Sequence, residues 1–166
     1  MTTLFIPIET SPGETRVATT PETVSRFVRQ DLEVLVERGA GVQASFTDAA
    51  YEEAGATLCG PEAWETAEVV AKVQPPSMEE AARLSKGCVL VCTVIPSAQL
   101  ELVSALKAGG VTCLALDLIP RITRAQSMDV LSSQATISGY KAVLLAATHL
   151  GKLCPLLMTA AGTVKP

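Results

Sequence analysis

Aromatic side chains are scarce in this chain: one Trp, two Tyr and three Phe in 166 residues. Platforms that stack nucleic-acid bases need more than that. Positive charge is also lacking. Thirteen Lys and Arg stand against 17 Asp and Glu, for a net charge of −4. No basic stripe is present, so nucleic acid is not an expected partner. Histidine occurs once, as His149, with no ligand cluster around it, so no zinc or other metal site is expected. The five cysteines (Cys59, Cys88, Cys92, Cys113, Cys154) are odd in number and form no CxxC pair. They read as reduced thiols, mostly buried, in a reducing compartment. The opening Met1-Thr2-Thr3-Leu4-Phe5-Ile6-Pro7-Ile8 has no charged leader, and reads as a first strand instead of a secretory signal. The most apolar stretch, 142–164, is interrupted by Thr148, His149, Gly151, Lys152 and Pro155, which makes it a poor membrane span. The chain itself is expected to be soluble.

What is present is a globular composition, 48% apolar and 18% charged, enough for a sizeable core. Short Val-, Leu- and Ile-rich runs at 4–8, 33–37, 68–73, 89–94 and 111–116 read as strands. The last two are nearly continuous apolar runs, as in strands covered on both faces. Helical patterns lie between them, at 21–32, 77–84 and 98–108. Thr20 and Pro21 suit the first helix entrance, and Gly109-Gly110 suits the last helix end. Strand–helix alternation implies an α/β fold with a mainly parallel sheet. Beyond Pro120 one long helical pattern runs over 124–149, roughly 39 Å at 1.5 Å per residue. Apolar on every side over 142–147, it requires cover from more than one direction.

Three constellations suggest chemistry. Gly39-Ala40-Gly41 lacks the third glycine of a dinucleotide turn, since Ala44 holds that place, and reads as an ordinary turn. Ser11-Pro12-Gly13-Glu14-Thr15-Arg16 forms a loop at a strand's carboxyl end, where Arg16 either grips an anion or is solvated. Lys72 ends an apolar strand and either faces a cleft or does not. The run 121–133 combines Arg121, Gln126, Asp129, Ser132 and Ser133 at the mouth of the long helix. Thr123 and Gln126 fit a capping box, and Gln126 equally suits a ligand amide or ribose. Asp129 lies too far into the expected helix for capping, and Arg121 is its obvious partner.

The sequence Arg121-Ile122-Thr123-Arg124-Ala125-Gln126-Ser127-Met128-Asp129-Val130-Leu131-Ser132-Ser133 resembles the signature of the nucleotide-binding alpha subunit of proton-translocating NAD(P) transhydrogenases. So do Gly13-Glu14-Thr15-Arg16-Val17-Ala18, Thr20-Pro21-Glu22-Thr23-Val24, Glu37-Arg38-Gly39-Ala40-Gly41, Ala71-Lys72-Val73, Gly139-Tyr140-Lys141-Ala142-Val143 and Met158-Thr159-Ala160-Ala161-Gly162-Thr163-Val164. The shorter motifs are shared with alanine dehydrogenases of the same superfamily.

The resemblance implies a flavodoxin-like parallel sheet of the formate/glycerate dehydrogenase catalytic-domain type. It implies domains at 1–122, a connecting helix over 123–150 and, over 151–166, a lead-in to a Rossmann NAD domain that this chain lacks. Arg121 and Ser132 would lie by the nicotinamide carboxamide and the pyrophosphate region. Gln126 would align the two dinucleotides, and Asp129 would orient Arg121 or the carboxamide. Ile122, Thr123, Leu131 and Ser133 would line the same NAD(H) pocket. Catalytic roles would fall to Arg121, Gln126 and Asp129. The implied partners are the Rossmann domain, an NADP(H)-binding domain, a membrane domain or beta subunit, and a second copy in a homodimer. The implied location is the cytoplasmic side of an inner membrane, or an organelle matrix.

The implied reaction is hydride transfer from NADH to NADP⁺ coupled to proton translocation. Without the GxGxxG turn that follows Pro166 in such relatives, this chain alone is expected to bind NAD weakly or not at all and to be inactive. Ile95 stands where alanine dehydrogenases carry a catalytic histidine. That leaves an alanine-dehydrogenase-like oxidoreductase, or a non-catalytic truncated or assembly half, as the alternative readings.

Overall fold

Alternating side-chain burial explains the architecture of residues 1–120. Along β1 (Thr2–Ile6), Phe5 joins one cluster of buried side chains while Leu4 and Ile6 join another, so the strand is covered on both faces. The same division holds for β2 (Leu32–Glu37), where Val34 and Val36 face one cluster and Leu35 packs on the other. Six parallel strands follow this plan: β1, β2, β3 (Thr57–Cys59), β4 (Val69–Ala71), β5 (Val89–Cys92) and β6 (Thr112–Ala115). Their order is β3-β2-β1-β4-β5-β6. Without the edge strand β3 this is the flavodoxin-like order, so the expected fold class holds. Fully buried side chains such as Phe5, Ile6 and Leu90 contribute roughly 1.5–3 kcal/mol each by leaving water.

The computed structural model describes residues 1–154 and 156–164; Pro155, Lys165 and Pro166 lie outside the described residues, and the expectations that touch them stay there. The chain divides into two compact units, Met1–Pro120 and Arg121–Pro166.

In the first unit, α1 (Pro21–Val28) starts where its sequence says: Thr20 accepts a hydrogen bond from the Thr23 amide and Pro21 opens the first turn. It stops four residues before the expected end, because Asp31 adopts a left-handed backbone (φ 60°) that launches β2. α2 (Asp48–Glu53) buries Tyr51, whose hydroxyl donates to the Thr19 carbonyl at 2.8 Å. Gly41 packs against that ring: a Cβ there would sit 2.5 Å from a Tyr51 ring carbon. Gly39, at φ +84°, makes the turn itself. The glycines of Gly39-Ala40-Gly41 therefore serve a turn and a close approach, in keeping with the missing third glycine.

α3 (Met78–Arg83) carries a complete capping box between Ser77 and Glu80. α4 (Leu100–Gly109) buries Leu102 and Leu106 and ends on Gly110 at φ 70°. It begins two residues later than expected, since Ser97 and Ala98 belong to the turn after β5. Strand β3 is not expected from the sequence because it is only three residues long.

In the second unit the expected continuous helix is corrected. Thr123–Met128 winds as a tight 3-10 turn, and α5 (Val130–His149) begins only after it. Its 20 residues span about 30 Å. A two-stranded antiparallel hairpin, β7 (Leu157–Thr159) with β8 (Gly162–Val164), follows. Among the described residues no helix is long and apolar enough to cross a membrane.

The first unit also buries a charge. The Lys72 side chain is fully covered, its Nζ 2.8 Å from Glu80 Oε2 and 5.5 Å from the centre of the Trp64 ring. Losing one member of such a pair strands the other. Lys72→Met should lower the unfolding free energy by about 3 kcal/mol, and adding Glu80→Gln should recover some of it. Urea denaturation of the three proteins measures both; an unrecovered loss would count against the pairing.

Candidate functional site

The strand order defines one location in the first unit. The chain runs β1, β2, β3 to one side and β4, β5, β6 to the other, so the switch point lies between β1 and β4. Open α/β sheets bind ligands outside the carboxyl ends of strands at such a point. The loops after β1 and β4 carry Glu9, Glu14, Arg16, Lys72 and Gln74 there.

These groups are already engaged with one another. Arg16 grips Glu14 with two prongs, Nε to Oε1 at 2.7 Å and Nη2 to Oε2 at 2.6 Å. Gln74 adds a third bond, its Nε2 donating to Glu14 Oε2 at 2.8 Å. The Arg16 fork, foremost, holds the Glu14 carboxyl down at about 2. Arg16 is therefore neither a plain solvated side chain nor an open anion clamp. Its guanidinium is turned on the chain's own carboxylate and remains 44% exposed. Lys72 is withdrawn onto Glu80 beneath the surface.

Glu9 binds across the switch point. Its Oε1 accepts from the Val73 amide at 2.5 Å and its Oε2 from the Gln74 amide at 3.2 Å. Burial, the largest influence, pushes its pKa up despite those bonds and the nearby Lys72 charge. Thr93 donates its amide to the Val73 carbonyl at 3.2 Å, and its hydroxyl bonds the same oxygen. Asp117 accepts from the Val94 and Ile95 amides at 2.7 and 3.0 Å. Sequence reasoning singles out Arg16 and Lys72 and misses Glu9, Gln74 and Asp117. The available signal was an acidic residue placed one to three positions beyond an apolar strand.

The second unit contains the whole 121–133 run. Arg121, Ile122, Thr123 and Gln126 are exposed around the 3-10 turn, and Ala125 is buried. Leu131, Ser132 and Ser133 are exposed in the first turn of α5. No bond joins the Thr123 and Gln126 side chains as a capping box; the cap of α5 is Asp129. Its Oδ1 accepts from the Ser132 amide at 3.0 Å and its Oδ2 from the Ser132 hydroxyl at 2.6 Å. Those bonds lower the Asp129 pKa first, and the Arg121 charge adds a weaker pull. Asp129 thus does the capping that its sequence position seems to exclude, because the helix starts at Val130. Ser133 donates its hydroxyl to the Val130 carbonyl at 3.1 Å. The arrangement leaves the Gln126 amide, the Thr123 hydroxyl and the Arg121 guanidinium exposed around one short turn ahead of a helix N-terminus. This donor-rich set fits a ligand with amide, ribose and phosphate groups. Among the described residues no cluster could hold a metal ion.

Residues 5–138 match the profile of the family described as alanine dehydrogenase/PNT, N-terminal domain. The NAD(P) transhydrogenase alpha subunit of Rhodospirillum rubrum is divided, and the chain is 46% identical to its first polypeptide over 170 aligned residues, covering 98% of this chain and 44% of that protein. It is 36% identical over 149 residues to the alanine dehydrogenase of Bacillus subtilis, covering 89% of this chain and 38% of that one. The crystal structure of transhydrogenase from Sinorhizobium meliloti superposes with a TM-score of 0.91 at 43% identity, over 98% of this chain and 47% of that one. The chain spans less than half the length of these relatives.

Two measurements test the geometry. The ordinary carboxyl value for Glu14 is 4.5 and the folded value is about 2, so the fold favours the ionised form. The stability this gives is present above pH 4.5 and lost as pH falls toward 2. Glu14→Gln should therefore flatten the drop in urea midpoint between pH 5 and pH 2.5. An unchanged drop would show that the Arg16 fork contributes nothing. Asp129→Ala should fray the first turn of α5 and reduce the helical signal at 222 nm, while Asp129→Ser retains most of it.

Proposed function

This chain belongs to the alanine dehydrogenase/PNT N-terminal domain family, and on that footing we propose that it is the N-terminal portion of the NAD(H)-binding subunit of an NAD(P) transhydrogenase. The observation that carries the reading is the match to a transhydrogenase alpha subunit over 98% of the chain. The donor-rich turn at 121–133 agrees with it in chemistry. The parent activity is hydride transfer from NADH to NADP⁺ coupled to proton translocation. Residues 1–122 form the N-terminal domain, 123–150 the connecting segment, and 151–166 lead toward the Rossmann domain. The partners are that domain, an NADP(H)-binding domain, a membrane domain or beta subunit, and a second copy in a homodimer. The site faces the cytoplasmic side of an inner membrane, or an organelle matrix.

Bound NAD(H) supplies the reducing equivalents, and the chain's own residues hold and orient it. The Gln126 carboxamide offers one donor face and one acceptor face, the pattern that complements another carboxamide. Arg121 supplies a fixed positive charge and a planar fork for an amide oxygen or a phosphate. Asp129, ionised and fixed by Ser132, sets where the helix begins and hence where Thr123 and Gln126 stand. Ser132, Ser133 and the backbone of Ile122, Thr123 and Leu131 line the same surface.

The chemistry also separates this reading from alanine oxidation. Releasing a proton from an amino acid needs a general base within reach. Ile95, on the loop after β5, cannot accept a proton. Direct exchange between two dinucleotides moves no proton at the reacting atoms and asks only for alignment and dryness. A specific experiment decides between them. This chain replaces the corresponding segment of the Rhodospirillum rubrum subunit, and the chimera is assayed with its partner subunits. NADH-to-NADP-analogue transfer is expected, with Gln126→Ala slowing it roughly ten- to hundredfold. The 166-residue chain alone should give no turnover. Alanine-dependent NAD reduction by the chimera would reverse the assignment.

A further inference from the structure

Three non-glycine residues have positive φ: Asp31, Ser45 and Ile95. Asp and Ser are short and polar, and tolerate the left-handed region through local hydrogen bonds. Ile95, at φ 50°, is a different case. A β-branched side chain in that region is strained. The following residue is Pro96, which biases its neighbour toward extended backbone. Both local preferences oppose the observed conformation. Nor does side-chain burial hold it, since Ile95 is 60% exposed.

What does hold it is Asp117, at the end of the neighbouring strand. One carboxylate oxygen takes the Val94 amide at 2.7 Å and the other takes the Ile95 amide at 3.0 Å. Val94 itself is buried, so the chain is fixed on one side of the strained residue. On the other side the Ala98 amide bonds back to the Ile95 carbonyl at 2.9 Å. We propose that Asp117 is a positioning residue that latches Ile95 in a left-handed backbone, so that release of the latch lets the β5–α4 loop relax toward extended geometry and swings the exposed Ile95 side chain away. The device sits at the carboxyl ends of β5 and β6, on the ligand-binding edge of the sheet. It rests on the local geometry alone and stands whether or not the chain serves a transhydrogenase.

A double-mutant cycle in the 166-residue chain tests it. Asp117→Asn keeps the size of the side chain but turns an NH₂ toward one of the two amides, which breaks the latch. Glycine adopts the left-handed region at no cost, so Ile95→Gly removes the need for the latch. Urea midpoints and amide exchange at residues 94 and 95 are read for all four proteins. Asp117→Asn should lower the midpoint and speed exchange at those amides by about tenfold or more, as local opening becomes easier. Ile95→Gly alone should leave the midpoint unchanged or raise it. In the Ile95→Gly background, Asp117→Asn should cost clearly less than it does beside isoleucine. If the two effects simply add, Asp117 is an ordinary anchor and the latch is refuted. The latch is equally refuted if Ile95→Gly lowers the midpoint as much as Asp117→Asn does. An Ile95→Val control, which keeps the branched carbon, should behave like the parent in both backgrounds.

Discussion

A parallel sheet leaves a row of backbone amides at the carboxyl ends of its strands, and the rest of this fold depends on how they are satisfied. The chain answers with its own side chains. Glu9 crosses from the loop after β1 to the amides of Val73 and Gln74, Thr93 ties the end of β5 to Val73, and Asp117 reaches from beyond β6 to Val94 and Ile95. Sheet pairing is thus continued past the strands by carboxylates and a hydroxyl. An unpaired amide in such a place would cost about 1–3 kcal/mol, so the stitching is worth more than its individual bonds suggest.

The same economy governs charge. Arg16 and Lys72 stand at the switch point, where a substrate anion would be drawn, and each is matched by an internal carboxylate. The edge therefore holds a balanced set of charges instead of a cationic trap. Glu9 works against this balance, because burial raises its pKa while its neighbours lower it. Its charged form is tolerated because two amides and Lys72 face it.

Much of this is legible in the residues. Period-two and period-3.6 patterns locate five of the six strands of the sheet, and Thr20-Pro21, Ser77 with Glu80, and Gly110 mark helix ends by their chemistry. The transhydrogenase-like motifs point to the family without any coordinates. Other features are hidden for physical reasons. β3 is too short for a period to register. Asp31 ends α1 through a backbone angle that the sequence does not advertise. The start of α5 is misplaced on sequence grounds because Thr123 and Gln126 satisfy a capping pattern equally well on paper, while Asp129 wins it through two short bonds to Ser132. The partners of Arg16 and Lys72 depend on which loops the topology brings together, and no local pattern encodes that.

Helix α5 carries a demand of a different kind. From Ala142 to Ala147 six apolar residues follow without interruption, and all are exposed among the described residues. Six consecutive positions on an α-helix sweep more than a full circle. No flat neighbour can dry such a segment. Whatever shelters it must enclose it, like a sleeve around a rod.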